Sequence, residues 1–273
     1  MIQQPLEINV DKVLRAKMPR YYRFVPRFVV SWLERVVCQR ELNAMLRKHA
    51  DKTGVPFARA MLDEMQVEVE VRGAENLPTD GRNIFVSNHP MGGLDGLALI
   101  SLLGERYNGN LRFIVNDILM AVTPLAPIFL PVNKVGRQSR ERAMIMDNAL
   151  NSDFQIATFP AGLCSRNTHG DVIEDLKWQK AFVVNAVATR RNVVPIYFDG
   201  QNSNFFYRLS KFRSKIGLKF NIEMIYLPNE MLKCRGRKFV VTIGKPIEWT
   251  TFDNSRSPIE WAAEVRKRVY SLK

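Results

Sequence analysis

The sequence is poor in cysteine, histidine and acidic residues for a chain of 273 residues. Its three cysteines, Cys38, Cys164 and Cys234, are far apart and form no Cys-x-x-Cys pair or Cys/His cluster. We therefore expect neither a disulfide framework nor a metal site, and a reducing compartment is the default.

Long apolar runs and several familiar enzyme signatures are also missing. No window reaches about 18 uncharged apolar residues, so no segment is expected to span a bilayer. Residues 1–7 lack the basic-then-apolar build of a signal peptide. The chain has no Gly-x-Ser-x-Gly elbow, Walker loop or Gly-x-Gly-x-x-Gly turn, which argues against serine hydrolases and common nucleotide-binding folds. We expect a protein of the cytosol or of a membrane surface.

Acidic residues are outnumbered 27 to 40, which leaves a net charge of +13. Such a charge implies an acidic partner: anionic lipid head groups, an acidic carrier protein or nucleic acid. Residues 1–50 hold +6 of it, and their apolar residues recur at helical spacing from Tyr21 onward, with Pro26 as a kink or interruption. We predict an N-terminal basic amphipathic helical region, residues 1–55, that lies in a lipid interface or packs on the larger domain, residues 56–273.

The larger domain alternates short apolar strands with helical segments. Strands are predicted at 67–71, 84–87, 111–115, 128–132, 155–159, 193–198, 221–227 and 239–243. Helices are predicted at 56–65, 97–103, 137–150 and 174–190, and a last one after the cap Ser-Pro-Ile-Glu at 257–260. This pattern predicts an α/β fold, a layered and largely parallel central sheet with helices on both faces.

Two turns of this domain carry the chemically interesting side chains. In residues 83–96 a predicted strand leads to His89, and Asp95 follows six positions later where a helix begins. An isolated histidine is more often structural, but a carboxylate at this place can accept from one ring nitrogen and leave the other basic. Residues 159–166, Phe-Pro-Ala-Gly-Leu-Cys-Ser-Arg, repeat the order of strand, tight turn and polar tip. We predict that the two turns form the walls of one active site.

Together the turns resemble motifs of the glycerolipid acyltransferases, the family that includes lysophosphatidic acid acyltransferase. Asn-His-Pro-Met-Gly-Gly-Leu-Asp is similar to that family's Asn-His-x4-Asp, and Phe-Pro-Ala-Gly-Leu-Cys-Ser-Arg to its Phe-Pro-Glu-Gly-Thr-Arg-Ser. Residues 128–134 and 193–197 fall where the family has its second and fourth motifs. The resemblance covers roughly residues 80–200 and implies the acyltransferase fold.

The resemblance implies an enzyme that moves a fatty acyl group from acyl-CoA or acyl-carrier protein to the hydroxyl of a lyso-lipid. The thioester is a co-substrate, and no resident cofactor is expected. His89 would be the general base and Asp95 would orient its ring. Main-chain N–H groups of the second turn, Gly162 and Leu163, would receive the developing oxyanion. Because a thiolate leaves readily, no covalent enzyme intermediate is needed, and Cys164 is interpreted as a small residue that fills the turn.

The departures from the family pattern bear on the acceptor. Five residues separate His89 from Asp95 where the family has four, and the two glycines between them could absorb the extra residue. Ala161 stands in place of the motif's Glu, and the motif's Arg is displaced to Arg166 or missing, which argues against glycerol phosphate. The Gly-Gly form resembles the branch that O-acylates lyso-ornithine or lyso-glycine aminolipids, with lysophosphatidic acid as the alternative acceptor. Residues predicted to bind the acceptor's anionic group are Lys134, Arg137 and Arg166.

We expect a peripheral protein on the cytoplasmic face of the membrane. Its partners would be the acyl donor, a lyso-lipid and an anionic membrane surface, but not nucleic acid. Residues 204–215 interleave aromatic and basic residues and are interpreted as an amphipathic segment beside the site, or else as a solvated basic face. The alternative from another class is a non-catalytic basic protein that binds membranes or nucleic acid; binding to nucleic acid would weaken steeply with salt and survive His89→Ala.

Overall fold

The computed structural model describes residues 7–132, 140–169, 172–218 and 220–273. Four helices come first: α1 (Val10–Lys17), α2 (Arg27–Val36), α3 (Gln39–Lys48) and α4 (Gly54–Glu64). The described chain then runs through β1 (Glu68–Arg72), β2 (Asn83–Ser87), α5 (Leu94–Arg106), β3 (Leu111–Asn116), β4 (Phe129–Val132), α6 (Arg140–Asn151), β5 (Gln155–Thr158), β6 (Arg166–His169), β7 (Val172–Glu174), α7 (Ala181–Thr189), β8 (Asn192–Asp199), α8 (Asn204–Lys215), α9 (Leu227–Leu232), β9 (Lys238–Ile243) and α10 (Pro258–Tyr270).

Seven of the described strands form one sheet in the order β1-β9-β8-β2-β5-β3-β4. Neighbouring strands are parallel except for β8 and β9, which are antiparallel. Strand β2 lies at the centre, and all five of its residues are buried. Since ligands of such sheets bind beyond the carboxyl ends of the parallel strands, the turns after β2, β5 and β8 lie where a site is expected.

Helices cover both faces of the sheet, and this confirms the predicted fold class. Successive side chains of β2 point to opposite faces. Phe85 joins a buried cluster with residues of α4 and α5, such as Phe57 and Leu103. Ile84 joins a second cluster with residues of α7 and α10, such as Phe182. The apolar residues of the central strand are therefore divided between two cores.

Two predicted elements were wrong. The helix predicted over 174–190 begins only at Ala181, because residues 172–174 form β7 and Asp175 is held by hydrogen bonds to other parts of the chain. The strand predicted over 221–227 is a 3₁₀ helix, Ile222–Tyr226, that continues into α9. Short apolar runs fit a helix as well as a strand, and buried Glu223 forms tertiary ion pairs from this segment.

The N-terminal region is helical, as predicted, and more divided than the sequence indicated. Pro26 immediately precedes α2 in an extended conformation, in agreement with the predicted interruption. Helix α1 was not predicted; the Asn9 side chain caps it by accepting from the N–H of Lys12. Met45 and Leu46 of α3 join the main core, so this part packs on the sheet domain. The domain boundary at residue 55 stays a prediction. None of the helices in the described ranges combines the length and the hydropathy that a bilayer-spanning segment requires.

Candidate active site

The turn after β2 is anchored by Asn88, which the sequence interpretation had not assigned a role. Its Oδ1 accepts from the N–H of Phe198 at 2.7 Å, and its Nδ2 donates to the carbonyl of the same residue at 2.9 Å. The side chain thus takes the part of a strand residue beside β8 and extends the pairing beyond the end of β2. This fixes where the chain leaves the sheet and where the next residue, His89, begins.

The structure brings His89 and Asp95 into contact despite the additional residue between them. The distance from His89 Nδ1 to Asp95 Oδ2 is 3.1 Å. Gly92, at a φ of +86°, provides the bend that closes the loop, and a Cβ there would lie 2.8 Å from Leu227 Cδ1. A residue with a side chain is disfavoured at such a φ, so the glycine is required both by the backbone and by the packing.

Asp95 is fully buried at the second position of α5 and is held by main-chain donors. Its Oδ2 also accepts from the N–H of Met91 at 2.9 Å, and its Oδ1 accepts from the N–H of Gly96 at 2.9 Å. Because an ionised carboxylate only accepts, the hydrogen of a neutral His89 ring belongs on Nδ1 and the lone pair on Nε2. The arrangement thus leaves Nε2 as the basic atom.

The second turn lies directly against this pair, which confirms the expected adjacency of the two turns. The ring of Phe159 stacks on the His89 ring with centroids 3.9 Å apart and an angle of 18° between the planes. The N–H of Ser165 donates to the carbonyl of His89 at 2.7 Å. The histidine side chain is 14% exposed, so the ring is held firmly yet one edge is open.

The two predicted oxyanion donors differ in the structure. The N–H of Gly162, at a φ of +65°, donates to the carbonyl of Phe159 at 2.9 Å and so closes the turn itself. Among the described residues the N–H of Leu163 has no hydrogen-bond acceptor. The oxyanion role stays a prediction for both, and the geometry favours Leu163.

Arg166 is buried and already engaged. Its guanidinium donates to Glu223 Oε1 at 3.1 Å and to the carbonyl of Cys164 at 2.8 Å. Arg213 Nε lies 3.0 Å from the other oxygen of Glu223. We call Arg166, Glu223 and Arg213 the arginine–glutamate cluster; two cations share one carboxylate, so it carries one excess positive charge. Acceptor binding by Arg166 stays a prediction, while Lys134 and Arg137 lie outside the described residues.

Cys164 is fully buried between the arginine–glutamate cluster and α8. Burial raises the pKa of its thiol, although Arg166 opposes the shift. A thiol whose pKa is raised is a poor nucleophile, which agrees with its interpretation as a residue that fills the turn.

Asp175 is a buried residue of the site that the sequence did not single out. Its carboxylate accepts from the main chain of His89 and from Ser165. The sequence predicts this residue in the first turn of the helix over 174–190, and nothing in its local sequence indicates contact with a residue 86 positions away.

The large groove found among the described residues lies away from His89. A groove of about 700 Å³ opens between α4, α5 and β1, with Leu62, Val69 and Leu102 in its wall, and His89 does not line it. No group of three or more metal-ligating side chains occurs in the ranges that the structure describes. The candidate active site is therefore the pair of turns rather than this groove.

The family model described as "Acyltransferase" matches residues 12–273, and the chain belongs to this family. It is an acyltransferase. It is 48% identical over 265 residues to the lyso-glycine lipid O-acyltransferase of Bacteroides thetaiotaomicron, covering 97% of each chain. It is also 48% identical over 265 residues to the lyso-glycine lipid O-acyltransferase of Phocaeicola vulgatus, covering 97% of this chain and 95% of that protein. Among solved structures it resembles the 1-acyl-sn-glycerophosphate acyltransferase PlsC of Thermotoga maritima, with a TM-score of 0.47, 19% identity and coverage of 96% and 97%.

Proposed function

We propose that this acyltransferase transfers a fatty acyl group from a thioester to the hydroxyl of a lyso-lipid during the synthesis of membrane lipids. The observation that carries the proposal is the contact of 3.1 Å between His89 and Asp95 in the turn that resembles the family's first motif. The full-length similarity to two lyso-glycine lipid O-acyltransferases supports a lyso-aminolipid as the acceptor.

In the proposed mechanism, His89 Nε2 takes the proton of the acceptor hydroxyl as its oxygen attacks the thioester carbonyl. Asp95 stabilises the imidazolium that forms, and a base positioned in this way is worth about 10²–10⁴-fold in rate. The N–H of Leu163 receives the developing oxyanion. When the tetrahedral intermediate collapses, the C–S bond breaks and the imidazolium returns the proton to the leaving thiolate. The thioester comes from acyl-CoA or acyl-carrier protein, and no resident cofactor takes part.

The positive charge near the site bears on the head group of the acceptor. A glycine head group carries a carboxylate, and arginine is well suited to bind carboxylates. The arginine–glutamate cluster has one excess positive charge and is joined to the site through Ser165, whose N–H bonds the carbonyl of His89. We propose that this charge, with Lys134 and Arg137, selects an anionic acceptor. Lysophosphatidic acid, which carries a phosphate, remains the alternative acceptor.

We propose that the protein attaches to an anionic membrane at its cytoplasmic face, and a basic and aromatic surface supports the attachment. The exposed apolar residues of the N-terminal helices and of the segment from α8 to residue 220 are Val13, Met18, Tyr21, Phe24, Phe28, Trp32, Phe205, Phe212, Ile216, Leu218 and Phe220. Tyr226 connects the two groups, because its ring lies 6.4 Å from that of Trp32 and 5.0 Å from that of Phe205. Basic residues interleave with these aromatic residues throughout. Amphipathic surfaces of this kind bind lipid interfaces through apolar burial and attraction to anionic head groups.

The activity is tested with the purified protein. Acyl-CoA and acyl-carrier protein are each offered with lyso-glycine lipid, lyso-ornithine lipid and lysophosphatidic acid, and the products are identified by mass. We expect O-acylated aminolipid, and we expect His89→Ala to reduce turnover by about 10²-fold or more while the protein stays folded. Turnover that is unchanged in His89→Ala would overturn the proposed mechanism. A protein inactive with all donors and acceptors but bound to DNA at low salt would favour the non-catalytic alternative.

Membrane attachment is tested separately with vesicles. Phe24→Ser together with Phe28→Ser should weaken sedimentation with vesicles that contain anionic lipid, because both rings are largely exposed and would enter the interface. Val184→Ser together with Val187→Ser is the matched control, since these are exposed apolar residues on α7, away from that surface. Equal losses in both double variants, or no loss in either, would contradict a specific docking surface.

A further inference from the structure

Asp175 is a buried carboxylate whose contacts converge on the candidate active site. It is 2% exposed. Its Oδ1 accepts from the N–H of His89 at 3.1 Å and from Ser165 Oγ at 2.6 Å, and its Oδ2 accepts from Trp178 Nε1 at 2.8 Å. Among the described residues, no arginine or lysine donates to this carboxylate. A buried charge without a cation is costly unless hydrogen bonds stabilise it, so all three donors are needed.

These bonds fix the main chain of His89 at both its N–H and its carbonyl. Asp175 holds its N–H, while the N–H of Ser165 holds its carbonyl, and Asp175 holds the Ser165 hydroxyl as well. The ring is fixed independently, by Asp95 at Nδ1 and by the stacked ring of Phe159. Backbone and ring are thus both constrained, which leaves Nε2 little freedom to move.

Asp175 is in turn held by the C-terminal helix. The N–H of Asp175 donates to the hydroxyl of Tyr270 at 2.7 Å, and Arg266 donates to its carbonyl at 2.9 Å while also pairing with Glu174 at 2.7 Å. Helix α10 therefore supports the histidine through a single intermediate residue, and among the described residues neither Tyr270 nor Arg266 hydrogen-bonds to the His89 ring.

We propose that Asp175 is a positioning residue for acyl transfer: it locks the first turn to the second so that Nε2 of His89 stays aligned with the acceptor hydroxyl. The inference rests on the proposed role of His89 as the base. Asp175 would be a second carboxylate at the site, one that positions the main chain of His89, whereas Asp95 contacts the ring. Misplacement of a reacting group by about 1 Å can cost about 10²-fold in rate.

The test compares Asp175→Asn with Trp178→Phe. Asp175→Asn keeps the size of the side chain but has one oxygen and no charge. With the oxygen in the place of Oδ1, His89 and Ser165 keep only a weaker, neutral acceptor, and with the oxygen in the place of Oδ2, the amide nitrogen faces both of these donors. We expect kcat to fall by about 10- to 10²-fold with KM nearly unchanged. Trp178→Phe removes a donor to the same carboxylate and leaves both bonds to the active-site turns, so it should lower the melting temperature at least as much while kcat changes by less than about threefold.

A double-mutant cycle with Ser165→Ala identifies the route of the effect. If Asp175 acts through the Ser165–His89 connection, the losses in kcat from the two substitutions will not add. If Asp175→Asn does not fold, Ser165→Ala carries the test alone, and a fall in kcat of about threefold to tenfold at unchanged KM is expected.

The inference is overturned if kcat in folded Asp175→Asn stays within about threefold of the wild type, if KM alone rises, or if the two losses are additive. These outcomes differ from a failure of the proposed function. If the wild type transfers no acyl group, or His89→Ala remains active, the base assignment fails. If the wild type is active and His89→Ala is not, an active Asp175→Asn removes only the positioning role.

Discussion

Replacing Asp95 by asparagine tests the proposed roles of His89 and Asp95 most directly, because the change preserves the size of the side chain and removes its charge. The fully buried carboxylate accepts four hydrogen bonds, from His89 Nδ1 and from the N–H groups of Met91, Gly92 and Gly96. An amide has one oxygen. If that oxygen takes the place of Oδ2, the amide nitrogen faces the N–H of Gly96, which loses its acceptor.

The expected magnitudes follow from this geometry. One buried donor without an acceptor costs about 1–3 kcal/mol of the free energy of unfolding. For a chain of this size each kcal/mol corresponds to about 2–4 °C, so the melting temperature should fall by about 2–12 °C. The effect on catalysis is larger, because a neutral amide does not stabilise the imidazolium. We expect kcat to fall by about 10²–10⁴-fold while both KM values change by less than about threefold.

The assay measures acylated product by mass at saturating donor and acceptor, well below the melting temperature of the variant. Asp80→Asn is the control, because this exposed residue loses the same charge far from the turns. The control should retain wild-type kcat and melting temperature. A folded Asp95→Asn protein with kcat within about threefold of the wild type would refute the proposed role of Asp95.

Three further changes test the local physics. Gly92→Ala should lower the free energy of unfolding in urea more than Gly81→Ala does. Both glycines have a positive φ, but only at Gly92 would the new Cβ meet Leu227. Equal losses of free energy in the two variants would contradict this packing. Arg191→Met should lower the free energy of unfolding by about 2–4 kcal/mol, because the buried guanidinium donates to main-chain carbonyls at and just after the end of α6. An unchanged melting temperature would contradict a stabilising role for these hydrogen bonds. Burial raises the pKa of Asp175, so just above pH 3.8 the folded protein binds more protons than the unfolded chain. The free energy of unfolding of the wild type, measured relative to Asp175→Asn, should therefore fall as pH rises through that interval. A difference that does not depend on pH would contradict the raised pKa.

The two carboxylates near His89 are held in different ways, and this separates their proposed roles. Asp95 contacts the ring and belongs to the loop that Gly92 closes. Asp175 contacts the main chain and reaches the site from a distant segment. Loss of the first should affect the proton transfer itself, whereas loss of the second should affect how well the ring is aligned.

Local patterns in the sequence were sufficient for most of the elements. The apolar strand and helix periods predicted the α/β sheet, and Ser257 with Glu260 marked the start of α10, where both halves of the capping box are present. The pairing of His89 with Asp95 was also predictable, because both residues belong to one turn and a spacing of six residues can close it. Of the two glycines, Gly92 has the positive φ that the turn requires, a conformation that glycine adopts readily.

Tertiary structure decided the features that depend on distant residues. Residues 174–180 leave the helical pattern because Asp175 and Trp178 bond each other and Asp175 bonds His89, and the energy of buried hydrogen bonds outweighs a weak helix propensity. Glu223 is buried against two arginines from other segments, which no local period indicates. The sequence alone thus determined the fold class and the contact between His89 and Asp95. The support around His89 was set by contacts between residues far apart in the chain, because side-chain hydrogen bonds and ion pairs form only where the fold brings their partners together.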